Sequence, residues 1–136
     1  MTITLCGSIK FFGEMEAARV ALEKLGHTVL MPIKAVGVDY WAEDNTARVA
    51  AKKKFEFISE HMDKIEKSEA ILVVNQTKGD IAHYVGANTF LEIGFAHYWD
   101  KKIYFMNPLP NQKYLEDELL TINPIILNGD LSVLSA

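Results

Sequence analysis

One cysteine, four prolines and no apolar run of the roughly 18–20 residues that a membrane span needs set the first limits on this 136-residue chain. Cys6 stands alone, which excludes an intrachain disulfide framework and suits a reducing compartment. Basic residues are also short. Fourteen Lys and Arg face eighteen Asp and Glu, and a net charge of −4 offers no electrostatic match to a nucleic acid polymer. The opening Met1-Thr2-Ile3-Thr4-Leu5 lacks the charged start of a signal peptide and reads as a strand, so a cytoplasmic protein is expected. Neither Gly-x-Gly-x-x-Gly nor Gly-x-x-x-x-Gly-Lys-Ser/Thr occurs, which disfavours dinucleotide and P-loop sites. His27, His61, His83 and His97 show no metal-ligand spacing; no metal and no cofactor is expected. Cys6 itself reads as a small buried hydrophobe, with no His evident beside it.

What is present is an unbroken alternation of strand and helix across one expected domain, residues 1–136. Residues 2–6 are β-rich and end in Gly7-Ser8. Met15, Ala18, Leu22 and Leu25 then recur at helical spacing up to Gly26, a glycine placed to end the helix. His27 to Met31 reads as the second strand. One long helix is expected from Asp44 to Lys67, with Phe55, Ile58, Met62 and Ile65 on one stripe and Lys52-Lys53-Lys54 on a solvated face. Ala70 to Asn75 is a continuous apolar run, the mark of a strand buried on both faces of a parallel sheet. A helix near Thr89, a strand at residues 102–106, a short helix at 114–120 and a last strand at 124–127 complete the pattern. Five parallel strands and four helices predict an α/β three-layer sandwich of Rossmann-like or flavodoxin-like order 2-1-3-4-5. Ligands in such sheets sit beyond the carboxyl ends of the strands, at the switch point between strands 1 and 3. Ser8, Asn75, Asn88 and Glu92 are expected to converge there.

Glu92 stands out. It lies among Leu91, Ile93 and Phe95, in what reads as the first turn of a helix that is apolar almost all round. Two readings stay open on this segment. Thr89-Phe90-Leu91-Glu92 fits a capping box, in which the carboxylate only satisfies a backbone donor. The alternative is a carboxylate turned into a cleft. Gly7 and Ser8 likewise suit either a plain strand-to-helix turn or a cradle of N–H groups and a hydroxyl for an anion or sugar. Tyr40-Trp41 and His83-Tyr84 flank the expected pocket in loops, where they could stack a base or simply pack.

These residues carry a resemblance. Cys6-Gly7-Ser8-Ile9-Lys10 after the first strand, with Asn88-Thr89-Phe90-Leu91-Glu92-Ile93-Gly94-Phe95-Ala96 before the fourth, resembles the nucleoside 2-deoxyribosyltransferase-like family, deoxynucleoside 5′-phosphate N-hydrolases included. The resemblance spans nearly the whole chain in length and element order. It implies that Glu92 is a nucleophile attacking the anomeric carbon and that Ser8 binds sugar or phosphate. It also implies a pocket closed by a neighbouring copy. Two positions depart from the family pattern. His61 stands where relatives carry an acidic residue late in the long helix, and Gly86 stands where they carry Asp or Ser.

The expected activity is cleavage or transfer of the N-glycosidic bond of a nucleoside or nucleoside 5′-monophosphate. Glu92 and His61 are the catalytic candidates, His61 as proton donor to the leaving base, with Asp63 and Asp80 behind it. Gly7, Ser8, Asn75, Gly86 and Asn88 are the candidate substrate contacts. A carboxylate beside the anomeric carbon stabilises an oxocarbenium-like state, and a group with an unperturbed pKa near 6.5 suits proton delivery. The rival expectation is a non-catalytic nucleotide-binding or sensor protein of the same fold. Phe90, Phe95, Tyr98 and Trp99 add more apolar surface than one sheet face covers, so a homodimer or higher homo-oligomer is expected.

Overall fold

Residues 1–134 are described by the computed structural model. Strands β1 (Thr2–Cys6), β2 (Thr28–Leu30), β3 (Ala70–Val73), β4 (Lys102–Phe105) and β5 (Ile125–Ile126) form one parallel sheet in the order β2-β1-β3-β4-β5. The expected topology is the observed one. Helices α1 (Phe12–Lys24), α2 (Thr46–Phe55), α3 (Phe57–Lys67), α4 (Ala87–Tyr98) and α5 (Lys113–Ile122) supply the crossovers.

Side-chain alternation along the strands divides the core in two. Ile3, Leu5, Leu72, Val74 and Tyr104 pack with Met15, Ala18 and Leu22 of α1 on one face. Cys6, Ile71, Val73, Ile103 and Phe105 pack on the other with Met62 and Ile65 of α3, Ile93 and Ala96 of α4, and Leu115 and Leu119 of α5. Thr4 shares the second face and hydrogen-bonds the end of α3 through Ser68 Oγ at 2.6 Å. The last residue of β1, Cys6, therefore points at α3 and α4.

Helix ends follow local chemistry. Gly26, at φ +94°, donates to Glu23 O while His27 N donates to Leu22 O, so α1 closes as a Schellman motif. The expected single helix from Asp44 to Lys67 is instead two. Glu56 adopts φ 49°, ψ 45° and donates its N–H to Lys52 O, which ends α2, and α3 starts at the next residue. The apolar stripe splits with it: Met62 and Ile65 reach the core, whereas Phe55 and Ile58 stay exposed. A continuous helix would hold α2 on the axis of α3; the left-handed residue turns α2 across the carboxyl edge of the sheet.

Candidate active site

A cleft of about 320 Å³ opens at that edge. Its floor and walls come from Gly7 and Ser8 after β1, His61 on α3, and Gly86, Asn88 and Glu92 at the start of α4. Six of the seven predicted site residues thus meet. Asn75 does not. It is wholly buried, its amide donating to Asn107 O at 3.1 Å and Pro108 O at 2.9 Å and accepting from Asn107 N at 3.0 Å. Its polar groups are spent on the loops following β3 and β4, so it fastens the rim and leaves the cavity to others.

Glu92 is the sixth residue of α4, a turn deeper than the first-turn position expected for it, and only 3% exposed. The capping-box reading fails, because the helix is capped by Gly86 and Thr89 lies inside it. Glu92 Oε1 accepts from Asn88 Nδ2 at 2.8 Å, a bond one helical turn long. Glu92 Oε2 lies 2.9 Å from His61 Nε2. That approach is off the ring's N–H axis, so Oε2 is close to the imidazole yet has no well-formed hydrogen bond. His61 Nδ1 is buried without a partner, which leaves Nε2 as the working nitrogen.

A second neighbour of His61 corrects another expectation. Cys6 Sγ lies 3.7 Å from Nε2, so the cysteine does have a histidine beside it. Burial first, and the Glu92 carboxylate second, push the Cys6 thiol well above its ordinary range. Asp63 and Asp80, the secondary acid candidates, do not line the cleft, and His97 is a surface residue. His27 is a packing residue held between the amino terminus and Leu134 O.

Cations form the mouth. Lys10, Arg48, Lys52 and Lys78 all line the cleft. Lys52 belongs to the run assigned to a solvated face; the turn at Glu56 brings it and Arg48, one helical turn apart, over the opening. Lys10 is held below its ordinary range by burial, then by the like charges of Lys78 and Arg48. Such crowding of positive charge around an open cavity is the electrostatics of an anion site.

No protein-family model matches the sequence, and no curated protein matches it. Solved structures do. The 2-deoxyribosyltransferase of Bacillus psychrosaccharolyticus superposes with a TM-score of 0.56 at 16% identity, over 79% of this chain and 73% of its own. The Clostridium botulinum CMP N-glycosidase BcmB superposes with a TM-score of 0.54 at 20% identity, over 94% of this chain and 90% of its own. This chain has the deoxyribosyltransferase-like fold. At Gly86 the surroundings leave little room for a side chain. A Cβ there would lie 3.1 Å from the Tyr84 hydroxyl and 3.3 Å from its ring, so the tyrosine fills the space a side chain would use. Gly7 is held more tightly still, since a Cβ would meet Val74 O at 2.9 Å. Tyr40 and Tyr84 line the cleft, whereas Trp41 stands largely in solvent with Lys10 Nζ 4.6 Å from its ring.

Proposed function

We propose that this protein cleaves or transfers the N-glycosidic bond of a nucleoside 5′-monophosphate, with Glu92 as nucleophile. The observation that carries the reading is a buried carboxylate at the floor of a cation-rimmed cleft, beside His61 and Asn88. Glu92 attacks the anomeric carbon; the C–N bond breaks and its electron pair leaves with the base, which takes up a proton. Water or an incoming base then attacks the glycosyl ester and frees Glu92. Asn88 fixes one carboxylate oxygen. His61 Nε2 lies beside the other, and any proton it gives to the base passes through that nitrogen. Lys10, Lys52, Lys78 and Arg48 suit a phosphate dianion, with the Ser8 hydroxyl at its edge. A phosphorylated substrate is favoured over the free nucleoside because four cations around an uncharged hydroxyl would gain nothing.

The test is incubation with a panel of nucleosides and their monophosphates, followed by chromatography for free base. We expect release from at least one monophosphate and a loss of about 10⁴-fold or more in Glu92→Gln, whose amide oxygen keeps the Asn88 bond and so preserves the fold. Wild-type turnover in that variant would overturn the assignment. Tight binding of a monophosphate with no base released would favour a nucleotide sensor instead.

A further inference from the structure

We propose that Cys6, His61 and Glu92 together form a binding site for a zinc-like divalent cation, open to the cleft at a fourth position. The three residues come from β1, α3 and α4, and one ligand atom of each lies within 4.8 Å of the other two. Tetrahedral coordination with zinc–sulfur, zinc–nitrogen and zinc–oxygen lengths near 2.3, 2.05 and 2.1 Å separates neighbouring donors by about 3.4–3.6 Å. The Sγ to Nε2 separation here is 3.7 Å and the Nε2 to Oε2 separation 2.9 Å, close enough for small side-chain rotations to close the geometry.

A second observation points to a ligand. Glu92 Oε2 is buried without a hydrogen-bond partner although an imidazole nitrogen lies beside it. Two polar atoms that approach each other off-axis are both free to aim at a third atom between them. Thiolate, imidazole and carboxylate in one tetrahedral set select zinc among common cations; calcium and magnesium prefer oxygen alone. Cys6 is sealed from solvent, while His61 and Glu92 line the cleft, so the ion enters from the substrate side and its free position faces the cavity. As it binds, the thiol gives its proton to solvent and the sulfur becomes the third protein ligand.

The consequence for activity rests on the reading of Glu92 as nucleophile. A carboxylate oxygen bound to zinc is not free to attack a sugar, so the cation and glycosyl transfer exclude each other. The ion acts as a reversible inhibitor that also blocks the floor of the cleft.

Cobalt(II) tests the site directly. This chain has a single cysteine, so a thiolate-to-cobalt charge-transfer band can arise only from Cys6. Titration of the reduced, metal-free protein with cobalt(II) is expected to produce that band with a break at one equivalent, and zinc should abolish it stoichiometrically. His61→Gln and Glu92→Gln should each weaken cobalt binding at least tenfold. Absence of the band in the wild-type protein overturns the site, and so does a band whose affinity neither variant changes. Where base release is measurable, zinc should inhibit it, a chelator should restore it, and Cys6→Ser should need at least tenfold more zinc. The spectrum needs no substrate, so a failed metal site and a failed glycosidase reading give different results.

Discussion

A carboxylate kept 3% exposed, within 2.9 Å of an imidazole and tied to an asparagine, is held in one geometry at the cost of desolvation. Such placement is costly as scaffolding and economical as chemistry, because the low-exposure floor strengthens any charge that develops against it. Ser8 holds an intermediate position. Its Oγ accepts from Lys10 N at 3.3 Å, a turn-capping role, but its hydroxyl proton is still free to be donated into the cleft. Ser8→Ala is therefore expected to raise the KM of a monophosphate by roughly five- to thirty-fold, about 1–2 kcal/mol, and that of the free nucleoside much less. Equal loss for both would make Ser8 a cap or sugar contact only. Lys10 adds a pH signature. On the proposed reading its cationic form meets the phosphate, so affinity should be full below its lowered pKa and be lost as pH rises through it, earlier than for an ordinary lysine. Lys78→Gln removes a like charge and should move that alkaline limb to higher pH while weakening binding at neutral pH. KM against pH for both proteins measures the shift; a limb that stays in place counts against the coupling. Glu92 was legible as the odd carboxylate in an apolar helix. The Cys6–His61 contact was not, because 55 residues separate the pair and only the sheet brings them together.

At the scale of elements, strand order and helix order follow from hydrophobic period and glycine placement, and they appear in the sequence with little ambiguity. The break at Glu56 does not. A non-glycine residue in the left-handed region carries no local signature, and the lysine run just before it looks like any solvated helix face. That one torsion decides whether Arg48 and Lys52 sit over the cleft, which is why the cationic mouth was invisible in sequence. Asn75 was misread for a related reason. A polar residue at the end of a buried strand normally faces ligand, but here the two following loops present unpaired backbone groups that claim it first. Asn75→Ala should cost about 1–3 kcal/mol, since it removes a wholly buried amide that ties the Asn107 and Pro108 carbonyls and the Asn107 N–H together. Denaturant unfolding would show it. A change under about 0.5 kcal/mol would mean that the loops are held by other contacts, such as Gln112 on Val85.

The whole molecule carries an uneven surface. Opposite charges are spread widely, yet the outer side of α4 presents Leu91 at 50% exposure, Phe95 at 42% and Tyr98 at 81%, with Phe90 beside them. Their spacing of three to four residues makes one continuous stripe along the helix. Gly94 interrupts it with no atom within 4 Å of where its Cβ would stand, so a partner helix can approach closely. A contiguous apolar stripe of this kind is normally covered. The same helix holds Asn88 and Glu92 on the neighbouring side, so whatever rigidifies α4 also rigidifies the candidate nucleophile. A second copy of the chain is the simplest cover: a two-fold axis lets one stripe meet its own image without leaving a new exposed edge. Among the described residues no helix is long and apolar enough to cross a membrane. We therefore expect a dimer or larger assembly at micromolar concentration in sedimentation. Phe95→Glu, which buries a charge in the centre of the stripe, should shift the protein to monomer with unchanged helix content, because Phe95 lies outside the buried core. Base release should fall in the same variant, and recover at high protein concentration as the dimer re-forms. A wild-type protein that sediments as a monomer would overturn the assembly, and a monomeric Phe95→Glu with full activity would show that the cleft works without it.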